Sequence, residues 1–112
     1  MQKINVLGTE YTVEKCARAA DKWLEKCDGY CDSTSHRIVV LDCPQDNELD
    51  DFEAYQRKVL RHEVIHAFLN ESGLRENMSH REIGGHDEQM VDWMAIQFPK
   101  ICRVFVELEV LA

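Results

Sequence analysis

The segment 51–71 keeps a helical period for its whole length, and no other feature constrains the chain as strongly. At about 100° per residue, Phe52, Tyr55, Val59, His62 and His66 fall on one stripe, with Leu60, Val64, Ala67 and Phe68 beside it. Asp50 or Asp51 is placed to cap the start, because a carboxylate there accepts from backbone N–H groups that lack a partner in the first turn. Ser72-Gly73 ends the run. The stripe includes two histidines, so it predicts imidazoles turned inward rather than to solvent.

The segments around this helix suit a small sheet and further helices. Residues 3–7 and 10–13 flank Gly8-Thr9, and glycine at the first turn position suits a two-residue hairpin turn of the mirror-image kind. Residues 17–26 read as a short helix, with Ala20, Trp23 and Leu24 at helical spacing, broken by Asp28-Gly29. Residues 30–32 and 36–42 read as a second hairpin around Ser33-Thr34-Ser35, and the β-branched run at 37–41 favours a strand. After a polar loop over 74–85, residues 87 to about 98 form a second helix. Pro99 is placed to start a third through 110, although Val104-Phe105-Val106 also suits a strand. The expected fold is α+β: a small antiparallel sheet packed against two or three helices, as one domain over 1–112.

Composition narrows the function classes. The chain has 112 residues, enough for one hydrophobic core, with 45% hydrophobic and 30% charged residues. Its formal net charge of −8 opposes a phosphate backbone, so no nucleic acid is expected as a partner. No stretch approaches the roughly 18 apolar residues of a membrane span, so no membrane association is expected either. Residues 1–10 lack the charged-then-apolar pattern of an export signal, which predicts a cytoplasmic location. Cys16, Cys27, Cys31, Cys43 and Cys102 make an odd number and read as reduced thiols. Cys27, Cys31, His36 and Cys43 offer a conceivable second zinc site, but their spacing is not the tight form, and small buried cysteines are the better reading.

The chemistry is concentrated in His62-Glu63-Val64-Ile65-His66. Histidines four apart on a helix project from one face, one turn apart, and two such imidazoles can bind one metal ion. Glu63 lies on the neighbouring face, within reach of a water on that metal without being a ligand. A catalytic zinc takes three protein ligands and keeps one position open, so one more ligand is needed. Glu88 is the preferred choice, with His86, Asp87 and His80 as rivals. If 87–98 is a helix, Glu88 and Asp92 share a face, so that Asp92 can accept the free ring N–H of a liganding histidine.

The pattern of H-E-x-x-H on one helix and Glu88-Gln-Met-Val-Asp92 on the next resembles the gluzincin arrangement of zinc peptidases. The short chain, the strands before the helix and the stretch 60–74 resemble small phage-type metallopeptidases related to the ImmA/IrrE group. The resemblance is most specific over 55–100 and looser over 4–13 and 28–41. It implies a minimal zincin-like core, Zn²⁺ held by His62, His66 and Glu88, and Glu63 as the catalytic glutamate. It also implies a peptide or protein substrate, such as a repressor, and the host cytoplasm as location if the chain is phage-encoded. The chain departs from that group in showing no separate substrate-side domain, which predicts a shallow cleft.

The expected reaction is peptide-bond hydrolysis, with Glu63 taking a proton from a zinc-activated water and passing it to the leaving amine. A peptide lying along an exposed strand at 37–41 is the expected binding mode. His86 is a further candidate for an oxyanion or substrate contact. The alternative is a non-catalytic, zinc-containing binding module that acts through a protein partner.

Overall fold

Two local turns shape the first forty residues into hairpins. The computed structural model describes residues 1–72 and 88–107, so the expectations for the loop at 74–85, for His80, His86 and Asp87, and for 108–112 lie outside the described residues. β1 (Gln2–Val6) pairs antiparallel with β2 (Thr9–Cys16), from Gln2 opposite Val13 to Val6 opposite Thr9. The turn residues are Leu7 and Gly8, not Gly8 and Thr9, with φ of 51° and 95°. Two positive φ values match the right-handed twist of the flanking strands. The Asn5 side chain secures the turn by accepting from the Gly8 N–H at 2.8 Å.

The second hairpin joins β3 (Gly29–Asp32) to β4 (Arg37–Leu41), with Asp32 opposite Arg37. Asp32 Oδ1 organises the turn by accepting from Thr34 N at 2.9 Å and Thr34 Oγ1 at 2.6 Å. These hydrogen bonds hold its carboxyl down at about 2.

The sheet is mixed rather than antiparallel. Its strand order is β1-β2-β4-β3, and β2 and β4 run parallel, from Thr12 beside Arg37 to Cys16 beside Leu41. The chain leaves β2, passes the place that β4 will fill, lays β3 at the far edge, and turns back into the gap. The excursion carries two short 3-10 turns, Arg18–Ala20 and Lys22–Glu25, where one helix over 17–26 was expected. Asp21 interrupts it: its backbone is extended and its side chain accepts from Trp23 N at 2.9 Å, an alternative to the helical hydrogen bond. Leu24 still reaches the core and is fully buried.

β4 is an interior strand. Ile38, Val39, Val40 and Leu41 are buried, as expected of a strand covered on both faces. The reading of 37–41 as an open edge is therefore corrected: β1 and β3 are the edges.

α1 (Phe52–Glu71) is capped by Asp51, whose side chain accepts from Ala54 N at 3.0 Å. Its buried residues are Phe52, Gln56, Val59, Glu63 and Ala67. That stripe lies about a sixth of a turn round the helix from the expected one, so the two histidines flank the sheet-facing side rather than continue it. The close approach depends on Gly29: a Cβ there would stand 2.6 Å from Val59 Cγ1 and 3.5 Å from Glu63 Cγ. Gln56 fixes the helix to the end of β4 by donating to the Leu41 carbonyl at 2.8 Å.

α2 (Glu88–Glu107) continues through Pro99, so no third helix starts there, and Val104-Phe105-Val106 is helical. Proline removes the N–H that would bond to the Ala95 carbonyl four residues back. Arg61 replaces it from α1, its Nε donating to that carbonyl at 2.5 Å. Val91 and Ala95, both fully buried, bring α2 against α1. Among the described residues no helix is long and apolar enough to cross a membrane.

Candidate metal centre

The site forms where the middle of α1 meets the first turn of α2. The helical repeat sets His62 and His66 one turn apart, with ring centroids 4.9 Å apart and Nε2 atoms 3.2 Å apart. Glu88 spans both rings: its Oε2 is 3.1 Å from His62 Nε2 and its Oε1 is 2.9 Å from His66 Nε2. Ligand atoms from the three residues lie within 4.8 Å of one another, and among the described residues this is the one such group of three.

The donors suit a divalent transition ion. A tetrahedral zinc with bonds of about 2.0–2.1 Å spaces its ligands roughly 3.3 Å apart. The observed separations of 2.9, 3.1 and 3.2 Å are close to that spacing. Two imidazoles and one carboxylate form a donor set that zinc accepts. The histidine side chains are 16% and 13% exposed, while that of Glu88 is 67% exposed, so the site opens to solvent on the α2 side.

One turn along α2, Asp92 Oδ1 lies 3.3 Å from His62 Nδ1. His62 thus presents its two nitrogens to two different carboxylates. Lys58 Nζ reaches the same Asp92 oxygen at 2.6 Å. That contact, supported by His62, holds the Asp92 carboxyl below the usual carboxylate range.

Glu63 is in a different environment. It is 8% exposed, faces the sheet beside Gly29, and has no hydrogen bond from a described residue to hold its charge. Burial pushes its carboxyl up to about 7, against the pull of His62 and helped by the negative charge of Glu88. That value is in the range where a carboxylate exchanges protons near neutral pH.

The structure therefore brings together His62, His66, Glu88 and Asp92, and sets Glu63 on the adjoining buried face. His86 lies outside the described residues. Cys27, Cys31, His36 and Cys43 do not form a metal-holding group among the described residues. Burial pushes the Cys31 thiol up to about 12, which suppresses its thiolate. Three contributors went unread in the sequence: Lys58, Gly29 and Arg61. Lys58 stands four residues before His62 on the same helix face, a spacing that by itself does not separate it from a solvated lysine.

No protein-family model, curated protein or solved structure matches the chain.

Proposed function

We propose that this chain is a small zinc-dependent peptidase with a minimal zincin-like core. The observation that supports the reading best is the convergence of His62, His66 and Glu88 donor atoms within 4.8 Å, next to a glutamate that burial has made basic. His62 and His66 would hold the ion through Nε2 and Glu88 through its carboxylate, with Asp92 accepting from Nδ1 of His62. When bound, zinc supplies Lewis acidity, which lowers the pKa of water and polarises a carbonyl. Glu63 accepts the proton of the attacking water and passes it to the leaving amine of a peptide. The exposure of Glu88 gives an extended peptide access from the α2 side.

The burial of Glu63 favours one alternative, a non-catalytic zinc module that works by binding a protein partner. Elemental analysis of the purified chain, followed by cleavage of a mixed peptide library, separates the two. The peptidase reading expects one zinc per chain and metal-dependent cleavage. Glu63→Gln should keep the zinc and lower cleavage by about 10²–10⁴-fold, and His62→Ala should lose the metal. Cleavage undiminished in Glu63→Gln refutes the general-base role. Stoichiometric zinc with no cleavage of any peptide selects the binding module.

A further inference from the structure

α1 sets Tyr55, Lys58 and His62 three and then four residues apart, along one line of its surface. Tyr55 is fixed at one end of the line, its hydroxyl donating to Asp28 Oδ2 at 2.5 Å, while Arg18 holds the other Asp28 oxygen at 3.1 Å. The Lys58 ammonium lies 5.9 Å from the centre of the Tyr55 ring, within cation–π range, and 2.6 Å from Asp92 Oδ1. The same Asp92 oxygen is 3.3 Å from His62 Nδ1. A lysine spaced like any solvated surface residue is thus held between an anchored aromatic ring and the carboxylate behind a metal-binding histidine.

The geometry points to Lys58 as a positioning residue for His62, acting through Asp92. Glu88 and Asp92 are like charges four residues apart on α2, an arrangement that repels. The acidic chain, with net charge −8, adds to that repulsion. Lys58 offsets it from the facing helix and fixes where the Asp92 carboxylate sits. The fixed carboxylate accepts from His62 Nδ1–H, which leaves the Nε2 lone pair directed at Glu88 and His66. A partly exposed ion pair near the surface adds little to folding stability. The contribution of Lys58 therefore lies in ligand orientation, where a supporting hydrogen bond typically changes metal affinity by about 10–100-fold.

This inference rests on the zinc reading above, and the experiment keeps the two apart. Zinc affinity is measured by competition with a chromophoric chelator for the full chain and for Lys58→Met, Lys58→Arg, Asp92→Asn and the double variant Lys58→Met/Asp92→Asn. Lys58→Met should bind zinc about 10-fold more weakly, with its metal-free unfolding midpoint almost unchanged. Lys58→Arg, which keeps the charge, should stay within about threefold of the original. With Asp92 already replaced, Lys58→Met should cost nothing more, because the two act in series. Should Lys58→Met fail to fold, Lys58→Gln takes its place and is read in the same way. Unchanged zinc affinity in Lys58→Met, or an equal loss with and without Asp92, overturns the inference. A parent chain that takes up no zinc at all removes the reading beneath it, a result recognisable before any variant is compared.

Discussion

Two polar side chains, Gln56 and Glu63, stand in the buried stripe of α1, and the fold treats them in opposite ways. Gln56 spends its amide N–H on the Leu41 carbonyl at 2.8 Å. Glu63 has no such partner among the described residues, and its carboxyl is pushed up accordingly. The difference predicts different costs of substitution. Gln56→Leu keeps the volume but leaves the Leu41 carbonyl buried without a donor, which should cost about 1–3 kcal/mol. Urea unfolding reads that cost, and any metal uptake at the proposed site should be unaffected, because Gln56 hydrogen-bonds to β4 and not to His62, His66 or Glu88. An unchanged midpoint would mean that another donor serves the carbonyl. That the two histidines share a face was legible in the sequence, because helical spacing alone determines it; that Glu63 rather than the histidines would turn to the sheet was not. Glu88 and Asp92 were legible by the same logic, applied to one further helix. Lys58 was not: a lysine on a helix surface reads as solvated until the carboxylate on the facing helix is in place.

Individual elements were legible where a turn or cap is encoded by neighbouring residues, and illegible where distant residues decide. The hairpin around Gly8 and the Asp51 cap are local, and the sequence reading recovered both to within one residue. The parallel pairing of β2 with β4 is set by the path of residues 17–28 past a strand not yet formed, and no local pattern records it. Pro99 shows the same division. Its ring suggested a boundary, since a proline inside a helix leaves one carbonyl without its amide. The compensating donor, Arg61, is 34 residues away from Ala95 in sequence. If that bond is what carries α2 through Pro99, then Arg61→Met should destabilise the chain by about 1–2 kcal/mol. In a Pro99→Ala background, where the backbone N–H returns, the loss should be much smaller. A double-mutant cycle over thermal unfolding measures the coupling. Equal losses in both backgrounds would show that the Ala95 carbonyl does not depend on Arg61.

At the scale of the whole molecule, α1 is tied to the sheet side by a carboxylate near each end, and both ties are sensitive to acid. Near the start, Asp28 accepts from the Tyr55 hydroxyl at 2.5 Å. At the end, Glu71 accepts from Tyr11 Oη at 2.7 Å and from Thr9 Oγ1 at 3.0 Å. These hydrogen bonds lower both carboxyls, Asp28 chiefly through Tyr55 and Glu71 chiefly through Tyr11. A carboxyl lowered in the folded state binds protons less readily there than in the unfolded chain. Its contribution to stability is therefore complete above the ordinary carboxyl range near pH 4, and is lost as pH falls through the lower folded value. The metal-free chain, kept so by a chelator, should lose stability steadily between about pH 5 and about pH 3. Tyr11→Phe removes the main donor to Glu71 and should bring that carboxyl back towards its ordinary value. The variant should start out less stable at about pH 7 yet lose less on acidification, and Tyr55→Phe should behave likewise through Asp28. Urea midpoints across that pH range compare the slopes directly. Parallel curves for the original chain and both variants would mean that these two carboxylates do not link the helix to the sheet, and that acid acts on the fold elsewhere.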